Sequence, residues 1–294
     1  MNIMSWSFYR WVWRLESPLH IGMPPAGILN RTRLYVPARA LWGALVAEIA
    51  RCQTDGFPDY ADVGQCLREN ARFSYLYPAE ETDQGWLAWL PIFREGIGLG
   101  WLREDMREDH ERILSDREFR RRLLYTRPGT AIDHGTSTAA EGTLRETECV
   151  QPLWRDERGD FCKQVAYVGY IFVRDNALEE ELRLVTEIFV GGDTRYGLGR
   201  LVLSGTWEQA HNCFGAQVDL DESHPIIHTK HLLAHAEADQ GQIIGAWEMI
   251  AGWDLTKSDR LVVINPDPLW APGSVCQRPM KFRIDEMGIW RADI

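Results

Sequence analysis

The sequence predicts an α+β fold. Its first part reads as a ferredoxin-like (RRM-like) unit carrying a glycine-rich loop, and a second, degenerate unit of the same kind follows. Three observations carry this. Phe8-Tyr-Arg-Trp-Val-Trp-Arg-Leu-Glu-Ser alternates bulky apolar with polar residues, the period-two signature of a strand, while Val165-Ala-Tyr-Val-Gly-Tyr-Ile-Phe-Val is wholly apolar, as a central strand would be. Helical periodicity follows each of these strands. The resulting order of strand, helix, strands, strand, helix, strand is β-α-β-β-α-β with insertions.

Composition bounds the function. The 294 residues suit one large domain or two modest ones, here 1–210 and 211–294. Apolar residues make up 45% and thirteen are Trp, enough for a substantial core. A net charge of −11 argues against a protein that binds nucleic acid through its overall field. It leaves room for a local basic groove, because screening confines each charge to a Debye length of roughly 8 Å. The six cysteines (52, 66, 149, 162, 213, 276) include no Cys-x-x-Cys pair, so neither a zinc site nor a disulfide framework is expected. No signal-peptide pattern and no apolar run of about 18 residues appears, which fits a cytoplasmic protein without a membrane partner.

In chain order, Ser17-Pro-Leu-His-Ile-Gly ends the first strand and a Pro/Gly-rich turn covers 23–30. Pro37 holds Val36 extended. From Ala38 a helix is expected, with Leu41, Leu45 and Ile49 on one face. Phe73-Ser-Tyr-Leu-Tyr-Pro and Trp86-Leu-Ala-Trp-Leu-Pro read as strands. Leu102 to Leu124 reads as a charge-dense helix with Arg117, Arg120, Arg121 and Arg122 near its end, either a solvated face or a basic patch. Tyr125 to Val150 is rich in small and polar residues and reads as a long, functional loop. Leu178, Leu182, Val185 and Phe189 give a helix over 177–189, and Arg200-Leu-Val-Leu-Ser a strand.

Between those last two lies the most informative stretch, Gly191-Gly-Asp-Thr-Arg-Tyr-Gly-Leu-Gly-Arg, with four glycines in ten residues. The helix-capping explanation covers Gly191 and Gly192. It leaves Gly197 and Gly199, with Arg195 and Arg200 beside them. Exposed N–H groups in such a loop bind phosphate oxygens, and arginines add fork-shaped donors. Phosphate or RNA-backbone contact is therefore expected here. It is not a nucleotide fingerprint, because no Gly-Lys-Ser/Thr follows.

The second part carries His228, His231 and His235, which would share one face of a helix over 226–240, with Glu237 and Asp239 nearby. Without a His-Glu-x-x-His pattern a packed or solvated helix is the expectation, and no metal or cofactor is assigned. Gly245 to Asp254, Val262 to Ile264 and Lys281 to Ile284 read as strands.

The chain resembles the RAMP superfamily of CRISPR-associated proteins. Ser17-Pro-Leu-His-Ile-Gly, Tyr35-Val-Pro and Leu41-Trp-Gly-Ala-Leu look like their first strand, Pro turn and first helix. Thr130-Ala-Ile-Asp through Thr138-Ala-Ala-Glu-Gly-Thr-Leu resembles a loop inserted in many type III subunits, and Gly191 to Arg200 their glycine-rich loop. Gly252-Trp-Asp with Ala271-Pro-Gly-Ser-Val is similar to the second half of the subunits that cap the 5′ end of crRNA. The resemblance implies a member of the fifth Cas group in a type III effector. Such a subunit grips the crRNA 5′ handle beside the large catalytic subunit and the backbone RAMP subunits, without catalysis of its own. Handle recognition needs donors for phosphates and 2′-OH groups and planes for splayed bases. Gly191, Gly192, Arg195, Tyr196, Gly197, Gly199 and Arg200, with Arg127, His134 and Thr138 from the 127–142 loop, are the expected RNA contacts.

Three other roles stay open, one of them a scaffold that binds no RNA, for which the net charge of −11 speaks. A metal-independent pre-crRNA endoribonuclease would need a general base and acid, for which His20 and His134 are the candidates. A backbone subunit would use a loop carboxylate, Asp133, to help cut target RNA with a metal.

Overall fold

The computed structural model describes residues 5–53, 56–106, 112–220, 223–238, 243–253, 261–263 and 267–293. It is α+β, with mostly antiparallel sheets. The first strand, β1 (Ser7–Leu15), follows the expected alternation most clearly at its end, where Trp13 and Leu15 are buried and Arg14 is exposed. At its centre Trp11, Val12 and Trp13 are all buried: Trp11 packs with Trp13 and Trp207 on one face of the sheet, and Val12 is on the other.

Next come α1 (Ala38–Cys52) and α2 (Tyr60–Asn70). The second of these was not anticipated. It starts at an Asp59 cap that accepts from the N–H groups of Ala61 and Asp62, both at 3.0 Å. Four strands follow, β2 (Ala71–Phe73), β3 (Tyr77–Thr82), β4 (Gly85–Arg94) and β5 (Gly98–Arg103).

The helix expected over 102–124 is confined to α3 (Asp116–Leu123). Residues 102 and 103 finish β5, and a Ser115–Glu118 capping box starts α3 late. The long loop expected over 125–150 is instead an antiparallel ribbon, β6 (Leu124–Gly129) with β7 (Arg145–Val150). Beyond it a shorter pairing of Ile132–Asp133 with Thr138–Ala139 closes the tip. Small polar residues hid the pattern, but the backbone hydrogen bonds need no apolar side chains.

The central apolar strand is β8 (Ala166–Val173), buried at every residue. After it α4 spans Asn176–Leu184 only. The expected helix to 189 breaks at Val185, and Glu187–Phe189 forms β9, paired with β10 (Arg200–Leu203). The ten-stranded sheet runs β9-β10-β1-β8-β3-β4-β5 and ends on the short strand Leu114–Ser115, with β2 beside β8 and Glu208–Gln209 beside β1. Within it β10, β1, β8 and β3 are neighbours, each antiparallel to the next. α1, α2 and α4 pack on one another.

The second, nine-stranded sheet is built from residues 212–292. Its centre is β11 (Ala216–Asp219), β12 (Ile226–His231), β13 (Val275–Ile284) and β14 (Trp290–Ala292). The helix expected over 226–240 is thus strand β12 followed by a turn and the short strand Ala236–Glu237, so the shared histidine face does not form. Isoleucine and threonine at 226, 227 and 229 favour the pleat. Asp239, Asp254 and Ile264 lie outside the described residues. A single apolar core joins both sheets, with Tyr77 donating from its hydroxyl to the Leu233 carbonyl at 2.8 Å. Among the described residues no helix is long and apolar enough to cross a membrane.

Candidate nucleic-acid interface

The segment Ser17–Ile21 leaves the end of β1 and is held from two sides. On one side Leu19 and Val150 of β7 exchange backbone hydrogen bonds of 2.9 and 2.8 Å. The Glu148 carbonyl lies 2.8 Å from His20 Nδ1. A carbonyl only accepts, so Nδ1 is the donor in this bond. On the other side sits the glycine loop. The Gly199 N–H donates to the Pro18 carbonyl at 2.8 Å, the Gly192 N–H to the His20 carbonyl at 2.9 Å, and the Arg200 N–H to Ser17 Oγ at 2.9 Å.

That docking accounts for two glycines. Gly191 has φ +90, and a Cβ there would stand 2.3 Å from the His20 carbonyl oxygen. Gly199 has φ +79, and its Cβ would stand 2.0 Å from the Val190 carbonyl oxygen. Both obstacles are backbone, which cannot step aside. Gly197 differs: its φ is +82, but nothing lies within 4 Å of the added carbon. The loop therefore has a closed half against Ser17–Ile21 and an open tip. At the tip Thr194–Tyr196 form one 3-10 turn behind a left-handed Asp193. The loop joins β9 to β10 rather than a helix to a strand, so Gly191 and Gly192 cap no helix.

Much of the expected donor set is already used. The N–H groups of Gly192, Tyr196, Gly197, Leu198, Gly199 and Arg200 all donate within the protein. Those of Asp193, Thr194 and Arg195 have no partner among the described residues. Arg200, expected as a phosphate donor, is engaged by Glu187, whose Oε2 accepts from Nε at 2.9 Å and Nη2 at 2.6 Å. Arg195 and Tyr196 are exposed.

The arm reaches this tip. Arg145, opposite Gly129 in the ribbon, holds its guanidinium 5.8 Å from the centre of the Tyr196 ring. Arg127 stands opposite Thr147, two residue pairs outward from buried Cys149 and on the same face of the ribbon. Burial pushes the Cys149 thiol up to about 11, with Arg127 acting against that and Asp193 with it. Arm and loop thus approach the same thiol. Arg127, Arg145, Arg195 and Tyr196 are all exposed, Arg127 and Arg145 lie on one face of the ribbon, and none of the three arginines has a carboxylate partner among the described residues. Sequence reasoning missed Arg145. The alternation in Arg145-Glu-Thr-Glu-Cys-Val was the available signal, masked by the glycines and threonines around it.

His134 and Thr138 lie elsewhere. From Leu124 to Asp133 the ribbon extends about 30 Å, and both residues sit exposed at its far end. Asp133 there accepts from the N–H groups of Gly135 and Thr136, both at 2.9 Å, and from the Thr136 hydroxyl at 3.1 Å. These donors hold its carboxyl below the usual range. It stabilises its own turn, and neither His20 nor His134 is hydrogen-bonded to a titratable side chain among the described residues.

A second polar cluster lies where the two sheets meet. Arg33 pairs with Glu248, whose Oε2 lies 2.9 Å from His235 Nε2, and His235 Nδ1 lies 2.7 Å from the Tyr75 hydroxyl. Burial holds His235 below its ordinary value although Glu248 pulls the other way. Burial opposes ionisation of Glu248, but His235 and Arg33 outweigh it and hold the carboxyl low. The cluster borders a cleft of about 350 Å³ lined also by Arg31, Trp101, Arg120 and Trp247.

No protein-family model matches the sequence, and no curated protein does. Solved structures do. A chain in the cryo-EM structure of the type III-B Cmr-beta bound to cognate target RNA and AMPPnP, state 1, aligns with TM-score 0.58 and 16% identity over 91% of this chain and 85% of that one. A chain of the type III-B Cmr-beta bound to cognate target RNA gives 0.56 and 15% over 91% and 86%. The protein shares their fold. At these identities the likeness is one of fold, and it extends over both sheets.

Proposed function

We propose that this protein is a subunit of a type III CRISPR effector complex, and that it grips the 5′ handle of crRNA without chemistry of its own. The observation that carries the reading is the surface where the arm meets the open tip of the glycine loop. Arg127 and Arg145 share one face of the arm, Arg145 lies over the exposed Tyr196 ring, and exposed Arg195 is the chain neighbour of Tyr196; none of the three arginines has a carboxylate partner among the described residues. Guanidinium forks suit phosphates, and Tyr196 offers a plane for a splayed base. A local cluster of this kind is how a chain of net charge −11 binds RNA.

The fold supports the assignment. The antiparallel order β10-β1-β8-β3, with α1 and α4 in the crossovers, supports reading this part as a ferredoxin-like unit of the kind the RAMP resemblance implies. The structural neighbours over most of the chain belong to RNA-bound type III-B complexes. In the proposed arrangement the acidic remainder faces the large subunit and the backbone subunits. His134 and Thr138 at the arm tip contact RNA further along, separately from the loop. The hydrogen-bond commitments of Asp133 favour a structural role over target cleavage.

Filter binding in EDTA tests this. RNA carrying the repeat-derived handle is compared with a scrambled handle of equal length at several salt concentrations. The true handle should bind more tightly and remain uncut. An Arg127→Glu, Arg195→Glu double variant should lose that binding, and single neutralisations should each reduce the salt slope by about 1. Equal binding of both RNAs, unaffected by the double variant, would sink the proposal. Cleavage abolished by His20→Ala would instead establish the endoribonuclease.

A further inference from the structure

At the end of the first sheet opposite the glycine loop, three arginines gather with no ion-pair partner among the described residues. β1 runs from Ser7, paired with Val173, to Leu15, paired with Leu201 beside the loop, so the two ends lie about 30 Å apart. At the Ser7 end a pocket of about 420 Å³ opens between α2, the end of β8 and the second sheet, within the range of small-ligand sites. Arg68, Arg72 and Arg174 line it, with Ser223, His224 and Glu286.

Arg72 is only 5% exposed. Its Nη1 donates to the carbonyls of Arg68 and Ala71 at 2.6 and 2.7 Å, and its Nε is buried with no partner. Arg68 Nε is likewise buried and unpartnered. The guanidiniums of Arg72 and Arg174 each stand 5.4 Å from the centre of the Trp6 ring, and that of Arg68 4.6 Å from Trp42. None of the three has a carboxylate within ion-pair distance among the described residues. A buried guanidinium left so is costly, and ring faces and carbonyls offset that only in part. Of the lining carboxylates, Glu69 accepts from Gln65 at 2.7 Å and Glu286 is exposed. Burial, then the charges of Arg72 and Arg283, hold His224 below its ordinary value, which fits a positive local field.

We propose that this pocket binds a phosphate group, from a free nucleotide or from an RNA strand, between Arg68, Arg72 and Arg174, with one further donor from the hydrogen-bonded pair Ser223–His224. The geometry suits a tetrahedral anion: three cations converge from α2, β2 and the end of β8, and two carry unspent buried N–H groups. The site is independent of the glycine loop and does not rest on the handle reading.

The test titrates the full chain with inorganic phosphate and with AMP, against chloride at equal ionic strength, following the thermal midpoint. The midpoint should rise with either phosphate. Arg68→Gln and Arg174→Gln, both on partly exposed residues, should each weaken the apparent affinity by roughly tenfold, the scale of one charge-assisted contact. Arg158→Gln, in the exposed hairpin turn between Arg155 and Phe161 and outside both arginine clusters, should leave it unchanged. Competition of AMP by a short RNA without a terminal phosphate would identify the RNA backbone as the source, and absence of competition a free nucleotide. No midpoint rise with phosphate or AMP, or a rise that survives both arginine variants, would overturn the proposal. It would leave the cluster to an acidic polypeptide.

Discussion

The glycine loop and the β6–β7 arm meet on one surface but are built in opposite ways. The loop spends most of its polar backbone on itself and on Ser17–Ile21, and two of its glycines exist because no side chain fits. The arm spends its backbone on a ribbon and leaves its arginines unpaired. A conspicuous glycine motif therefore reports first on how a loop is packed. What the surface offers a ligand is better read from side chains whose partners are missing.

The sharpest way to break that comparison is at the glycines. Gly199→Ala or Gly191→Ala adds a carbon against backbone and forces a left-handed residue. Each should destabilise the fold on the order of 3–5 kcal/mol. Gly197→Ala meets only the left-handed penalty, about 1–2 kcal/mol, since its Cβ points into open space. Urea unfolding of the three variants measures the difference. Equal losses would mean that the loop has no closed and open halves.

Acidification is the next lever, because it reaches the buried cluster between the sheets and spares the arm. The folded value of His235 lies below its ordinary 6.5, so the unfolded chain takes up the proton first. The stability it contributes is complete above that value and is lost as pH falls below it, at no more than about 1.4 kcal/mol per pH unit. Glu248, held below its ordinary 4.5, adds a loss in the same direction below that pH. The thermal midpoint should drop between pH 7.5 and 5.5. His235→Gln, which keeps hydrogen-bonding groups but does not titrate, should flatten that drop. A slope unchanged in the variant would place the titrating group elsewhere.

How far the sequence could be read follows from the same contrast. Apolar patterning announced β1, α1 and β8: burial on one face leaves a period in the residues of α1 and most of β1, and burial on both faces leaves the continuous apolar run of β8. The arm left almost none. Its strands are held by backbone hydrogen bonds over small polar residues, and Arg145 became visible only through the register that sets it beside Tyr196. The helices expected over 102–124 and 226–240 failed for a related reason. Charge density and histidine spacing fit a helix locally, but strand pairing to β4 and β13 decided the outcome. The loop was legible as a motif, yet its use of Arg200 depended on Glu187, which lies in a strand that the sequence reads as helix.

That last pair gives the smallest expected effect and the finest test of the comparison. Arg200 and Glu187 are both substantially exposed, and an exposed ion pair contributes little to stability. Arg200→Gln should therefore leave the unfolding midpoint unchanged within error. Its guanidinium is already neutralised, so the loss of RNA affinity should also be smaller than for Arg127→Gln or Arg145→Gln. Glu187→Gln should do the reverse and free Arg200, tightening RNA binding at low salt and steepening its salt dependence. If Arg200→Gln proves as damaging to binding as Arg127→Gln, then Arg200 exchanges Glu187 for phosphate on binding. The loop and the arm would then contribute to the interface on equal terms.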